Sequence, residues 1–243
     1  AVAEAPAPAA GAADESPEGP GEPFGEEVDS ADASPFQARA EVLEAHEREL
    51  SRRLKRTLAD EQNELLDLLR RTKPTGVDEL LPPVDGHAAR WVASAREVLA
   101  ECAAAGATWA GGKAGSVDDL AAELARGLVQ PLRDRIDRSF AASDGDLDDV
   151  ADRVRALYRE WKGQRLVEAA AHYTAAAYAQ GVYDAVPTGG SLRWAVDPAA
   201  GPCPDCADNE LAGTLAKGEE FPTGDRHAPA HPGCHCLTLP ADA

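Results

Sequence analysis

Between Pro35 and about Arg71, leucines recur at steps of four and seven: Leu43, Leu50, Leu54, Leu58, Leu65 and Leu69, with Glu and Arg between them. That spacing draws one apolar stripe along a helix whose other faces are charged. The helix is expected to stop at "KPTG", where Pro74 cannot continue the hydrogen-bond ladder and Gly76 relaxes the turn. After a turn at "LLPPVDG", Trp91, Ala95, Val98 and Cys102 fall on one helical face, so Cys102 reads as a core thiol and not a nucleophile. Val117, Leu120, Leu124, Leu128, Leu132, Ile136 and Phe140 predict a third helix, capped by Ser116 and kinked at Pro131.

The longest helix is expected from an N-cap at Asp146 to about Asp184. Leu147, Val150, Val154, Leu157 and Trp161 line one face, and Leu166, Ala170, Tyr173 and Ala177 continue it. Its stretch "AAAHYTAAAYAQ" is rich in small residues and lets another helix approach closely, so His172 and the tyrosines read as packing residues. "VPTGGS" ends it.

Two apparent ligand loops fail on spacing. In "GATWAGGKAG" Ala107 stands where a phosphate loop needs its first Gly, and Ala114 where it needs Ser or Thr; the segment is expected to be a flexible connection. In "SDGDLDD" the sixth position of a calcium loop is Asp149 in place of Gly and the twelfth is Arg155 in place of Glu.

Composition agrees with a mainly α fold: 44% of the 243 residues are hydrophobic and only 5% aromatic, with alanine and leucine abundant. The formal charge of -19 argues against a general nucleic-acid-binding surface, which would draw on Lys and Arg to neutralise phosphates. Much of that charge is local. Glu4, Asp14, Glu15, Glu18, Glu22, Glu26, Glu27, Asp29 and Asp32 precede the first cation, Arg39, in an Ala-, Pro- and Gly-rich stretch that cannot bury enough surface to order itself. No apolar run approaches a bilayer span, and the start lacks the features of a secretory signal, so a cytosolic origin and no membrane partner are expected. The expected organisation is an acidic disordered tail or linker at 1–34, a helical domain at 35–186 and a metal-binding carboxy-terminal module at 187–243.

That module holds the chemistry. Four of the five cysteines and three of the six histidines lie in "CPDCADNELAGTLAKGEEFPTGDRHAPAHPGCHC". "CPDC" (Cys203 to Cys206) and "HPGC" (His231 to Cys234) read as two matching Pro-containing turns, each presenting two ligands, which together make a tetrahedral zinc site. Cys236 is a fifth candidate; alternation along an extended segment faces it the same way as Cys234 and turns His235 away. His227 sits in a Pro- and Gly-rich loop and is not expected to bind metal. Which four of Cys203, Cys206, His231, Cys234 and Cys236 hold the ion stays open, and a disulfide or free thiols is the bland alternative. Because the supply of ligands exceeds four, the site is expected to be closed and structural, with no catalytic residues. The rival is a zinc-dependent nuclease or hydrolase drawing a base from Glu219, Glu220 or Asp225.

The order of a Trp after a long helix ("GGSLRWAVDP"), then "CPDC", "FPTG" and "HPGCHC" just before "LTLP", resembles the carboxy-terminal region of the phage Mu protein F-like head morphogenesis proteins, the minor capsid proteins of tailed phages. The resemblance covers roughly residues 147 to 240, including the helix "YREWKGQRLVEAAAHYTAAAYAQGVYDAV"; His235 stands where that family usually carries Arg. It implies a non-enzymatic, few-copy protein of the virion head interior or portal region, assembled in the host cytoplasm. Its implied partners are the portal protein, major capsid or scaffolding protein and packaged DNA, and its implied role is head assembly, DNA packaging or ejection. Cys203, Cys206, His231, Cys234 and Cys236 are the matching motif positions.

Overall fold

The computed structural model describes residues 34–201 and 204–241; the acidic tail expected over 1–34 lies, but for Ser34, outside them. Helix α1 spans Pro35–Thr72, α2 Val84–Trp109, α3 Asp118–Ala142, α4 Leu147–Glu160 and α5 Leu166–Ala185, followed by strand β1 (Ser191–Ala195), helix α6 (Pro204–Leu211) and strands β2 (Thr214–Ala216) and β3 (Leu237–Pro240). The chain is mainly α with one small sheet, as the periodicity predicts.

All six leucines of the α1 stripe are buried, and so are Trp91, Ala95, Val98 and Cys102 of α2. Burial also pushes the Cys102 thiol up to about 12, which fits an unreactive core residue. The Asp146 carboxylate accepts from the amides of Asp148 and Asp149, so the cap expected there forms, whereas α3 has Val117 at its N-cap and Ser116, one residue earlier, accepts from the Asp118 amide at 3.1 Å. Pro131 lies inside α3, which continues to Ala142.

Two further expectations are corrected. The connection expected from Gly106 onward is helical as far as Trp109. Its glycine is a packing residue: a Cβ on Gly106 would overlap the Tyr178 carbonyl of α5, and one on Gly181 of α5 would overlap the Ala103 carbonyl of α2. The helix expected to run unbroken from Asp146 instead passes through a π turn, Trp161–Arg165, between α4 and α5. The apolar stripe steps five residues from Trp161 to Leu166, and both are buried. An α-helix would swing that step off the face, whereas an i to i+5 turn restores it.

Position 61 falls on the leucine stripe of α1 but is Glu, 2% exposed. Its carboxylate gathers three buried partners: His87 Nε2 at 2.6 Å, the Trp91 indole N–H at 3.3 Å and the Tyr158 hydroxyl at 2.7 Å. Burial, then the Glu61 charge, hold the Tyr158 hydroxyl protonated well above its usual range. This hub ties α1, α2 and α4 together.

The sheet has the order β2-β1-β3, antiparallel throughout. Ala195 pairs with Leu237 and Arg193 with Leu239, while Trp194 pairs with Thr238. One face thus carries Ala195, Leu237 and Leu239 into the same core as the helices, and the other carries Trp194 toward the cysteines. The sheet residues share a core with the helices across the boundary drawn at 186/187, and contacts group Ser34–Ala243 as one unit. Lys217, just after β2, donates to the Val186 carbonyl at 2.5 Å and the Asp184 carbonyl at 3.2 Å, capping the end of α5.

Two stability tests follow from this packing. Gly106→Ala or Gly181→Ala forces α2 and α5 apart and should cost about 2–3 kcal/mol, lowering Tm by roughly 5–10 °C. Gly163→Ala, with nothing near its Cβ, should stay within about 0.5 kcal/mol. In denaturant titration Glu61→Ala should cost about 3 kcal/mol by orphaning its donors. The same change at exposed Glu64, paired with Arg90 at the surface, should cost under about 1 kcal/mol.

Candidate metal centre

The two cysteine turns are not alike. "HPGC" is a β-turn in which the Cys234 amide donates to the His231 carbonyl at 3.1 Å, with Pro232 second and Gly233 third at φ +79. That arrangement has the type II pattern, whose third position excludes most side chains. "CPDC" does not repeat it: Pro204, Asp205 and Cys206 open helix α6, where Pro suits the first turn because its missing N–H has no helical partner there. Cys203 lies outside the described residues. "FPTG" forms a third turn, in which Gly224, at φ +88, donates to the Phe221 carbonyl at 2.8 Å. Asn209 of α6 is fully buried and bonds Thr223 through both ends of its amide, fixing this turn against the helix.

These elements bring Cys206, His231 and Cys234 together, their ligand atoms all within 4.8 Å of one another. Cys206 Sγ stands 3.5 Å from Cys234 Sγ and 3.6 Å from His231 Nε2. A tetrahedral zinc ion spaces its ligands about 3.8 Å apart sulfur to sulfur and about 3.5 Å sulfur to nitrogen, so the observed separations fit. His231 Nδ1 lies 3.0 Å from the Pro232 carbonyl; an N–H there fixes the tautomer and leaves the Nε2 lone pair facing the thiols. The donor set, soft sulfur plus imidazole, suits a metal such as zinc.

Cys236 is buried in the same cluster as Trp194, Cys206, Phe221, Ala228 and Cys234. Hydrogen bonding from Cys236, helped by the backbone N–H groups of Cys236 and Ala230, brings the Cys234 thiol down to about 5; the hydrogen bond to Cys234, then burial, in turn push Cys236 up. Of the pair, Cys234 is thus the sulfur favoured as thiolate and Cys236 the one held protonated. As expected, His235 turns away and is exposed. His227 does not join the cluster: it lies against Tyr183, ring centroids 5.0 Å apart, with Nδ1 2.8 Å from the Ala228 carbonyl. Among the described residues Cys206, His231 and Cys234 are the one group of Cys, His, Asp or Glu close enough to share an ion.

One residue that the sequence reading passed over is central here. Arg39, near the start of α1 and 7% exposed, donates to the His235 carbonyl at 2.8 Å and the Cys236 carbonyl at 3.2 Å, and pairs with Asp197 at 3.4 Å. It fastens the Cys234–Cys236 segment and the exit of β1 to the helical body. The signal in the sequence is faint: Arg39 sits four residues before Leu43, on the apolar stripe.

Two clefts, of about 510 and about 690 Å³, flank the His231–Cys234 turn, and Glu168 and His172 line both. His172 is half-buried, its pKa lowered first by that burial. The acids available as bases are tied into their own loops: Glu219 accepts from the Ala216 amide at 2.8 Å, Glu220 meets Arg226 at 3.4 Å and Asp225 accepts from the Thr223 hydroxyl at 2.7 Å. No helix among the described residues is long and apolar enough to cross a membrane. Comparison of the chain with protein-family models, curated proteins and solved structures finds no match in any of the three.

Chelation under reducing conditions should raise hydrogen exchange across residues 204–234 by at least about tenfold, while β1, β3 and the far-UV helix signal change little. Cys206→Ser should reproduce the effect. Exchange that is the same before and after chelation would show that no ion holds this segment.

Proposed function

We propose that this chain is a minor capsid protein of the phage Mu F-like head morphogenesis type. In this reading it acts as a structural part at or near the portal in procapsid assembly, DNA packaging or ejection, and the Cys/His cluster binds zinc to hold its carboxy-terminal segment folded. The observation that carries the reading is convergence. Trp194, Cys206, Phe221, Cys234 and Cys236, drawn from "GGSLRWAVDP", "CPDC", "FPTG" and "HPGCHC", form one buried cluster although they are scattered over more than forty positions. Cys203 joins the ligand set on its spacing from Cys206, and the ion is a cross-link, not a reaction centre. Support for a non-catalytic role comes from the buried thiols and from the engagement of Glu219, Glu220 and Asp225 in loop hydrogen bonds.

The partner would be the portal, with the major capsid or scaffolding protein as neighbours, and the protein would reside in the virion head. Co-expression with the cognate portal protein should yield a complex that survives size-exclusion chromatography. Tight stoichiometric zinc is expected in the same fractions, without nuclease or hydrolase activity. A monomer that ignores portal protein, or zinc-dependent turnover of a nucleic-acid or ester substrate, would overturn the reading.

A further inference from the structure

Three positions on the leucine stripe of α1 carry charge: Arg39, Glu47 and Glu61, each three or four residues from a stripe leucine. Arg39 and Glu61 are buried, and each directs its charge at partners from other elements. Glu47 differs from both. It is half-buried, and no hydrogen bond or ion pair reaches its carboxylate from the described residues. Burial raises its pKa, and the charges of Arg39 and His235 oppose that rise without either group bonding to it. A carboxylate withdrawn from water in this way loses hydration that nothing in the fold returns.

Glu47 lines the larger of the two clefts, about 690 Å³, which falls within the range of about 300–1,000 Å³ usual for ligand sites. Its walls are apolar: Ala40 and Leu43 of α1, Ala171 and Ala175 of α5, and the turn at 232–235. The other charged groups that line it already have partners. Glu44 pairs with Arg48 at 2.9 Å, and Glu168 accepts from Gln164 at 2.8 Å. The Arg39 guanidinium is held by the His235 and Cys236 carbonyls and by Asp197. What the cleft presents to a visitor is therefore an apolar slot with one carboxylate that lacks a donor.

We propose that this cleft is the docking site for a basic segment of a partner protein, whose Arg or Lys side chain lays its aliphatic stem along Ala40, Leu43, Ala171 and Ala175 and brings its cationic head to Glu47. A carboxylate set between apolar walls selects a donor that is apolar along most of its length and charged at its tip. Arg suits it best, because its planar fork matches both carboxylate oxygens. The formal charge of -19 on the chain favours the approach of a basic segment and repels an acidic one. This goes beyond the reading above: it assigns the face and the chemistry of the partner, and it stands whether or not that partner is a portal protein.

The test follows the amide resonances of the isotope-labelled full chain, under reducing conditions, as a capped peptide of alternating Arg and Ala is added. Amides near Leu43 and Glu47, near Ala171 and Ala175, and in the 232–235 turn should shift saturably. The same peptide with Gln in place of Arg should leave them unmoved. Glu47→Gln should weaken binding by about tenfold. Glu41→Gln removes the same charge at an exposed position outside the cleft, and it should stay within about twofold of the unmutated chain. Because Glu47 has no partner to lose, Glu47→Gln should also keep or raise Tm. Absence of a saturable shift, shifts confined to other surfaces, or equal weakening by the two variants overturns the proposal. A lowered Tm in Glu47→Gln assigns the residue to the fold and overturns it as well. Spermidine that moves these amides where the peptide does not makes the cleft a polyamine site and overturns the protein partner. Failure of the portal complex described above would alter none of these outcomes.

Discussion

Two glycines let α2 and α5 meet backbone against backbone, and the carboxy-terminal half of the molecule is built on the result. Gly106 faces the Tyr178 carbonyl and Gly181 faces the Ala103 carbonyl, so neither helix can shift or rotate without collision. With α5 fixed in this way, Leu237 and Leu239 of β3 bury into the helical core beside Ala195 of β1. Strand alternation then leaves Trp194, Thr238 and Cys236 no choice of face. A one-residue slip of β3 would put Cys236 into the helical core and Leu237 among the thiols. The register set by apolar burial is thus also what assembles the cysteine cluster.

Arg39 works against the same frame from the other side. Its guanidinium is costly to bury, and burial lowers its pKa while Asp197 and the neighbouring thiols oppose that shift. Two carbonyl acceptors and one carboxylate return much of the cost. What is gained is specific: one side chain from the first turns of α1 holds the segment that carries two candidate ligands. Glu61 plays the matching part in the bundle, where one carboxylate collects donors from α2 and α4. In both places a charged residue stands on an apolar stripe and joins elements distant in sequence, setting which helices meet in a core otherwise made of interchangeable aliphatic contacts.

The helices were legible because their burial is periodic. Six leucines at steps of four and seven defined α1 nearly to the residue, and the Asp146 cap behaved as its chemistry requires. The π turn was legible too, in the five-residue step from Trp161 to Leu166, but a search for α-helical spacing smooths such a step away. The role of Gly106 was hidden because glycine is read first as a breaker, and only the partner helix reveals it as a contact. In the cluster, the grouping of Cys206, His231 and Cys234 followed from ligand spacing. The difference between the "CPDC" helix start and the "HPGC" turn did not, because Pro is at home in both and Gly233 alone separates them. Arg39 and Glu61 escaped for a common reason: their partners lie between 26 and 197 positions away, beyond any local pattern.

The segment between the two halves of the candidate centre has little burial of its own to hold it. Of residues 207–233 only Asn209, Phe221 and Ala228 are buried, so two apolar side chains must order twenty-seven residues. Hairpin hydrogen bonds and the Asn209–Thr223 pair help locally but do not join Cys206 to His231. Closing a loop of this length with a cross-link restricts the unfolded chain by about 3–4 kcal/mol. That is comparable to what about two further buried leucines would provide. A short sequence with few large apolar residues can place ligands more readily than it can grow a second core. Turns rich in Gly and Pro, which would weaken a helix or strand, would cost little with a metal fixing both ends.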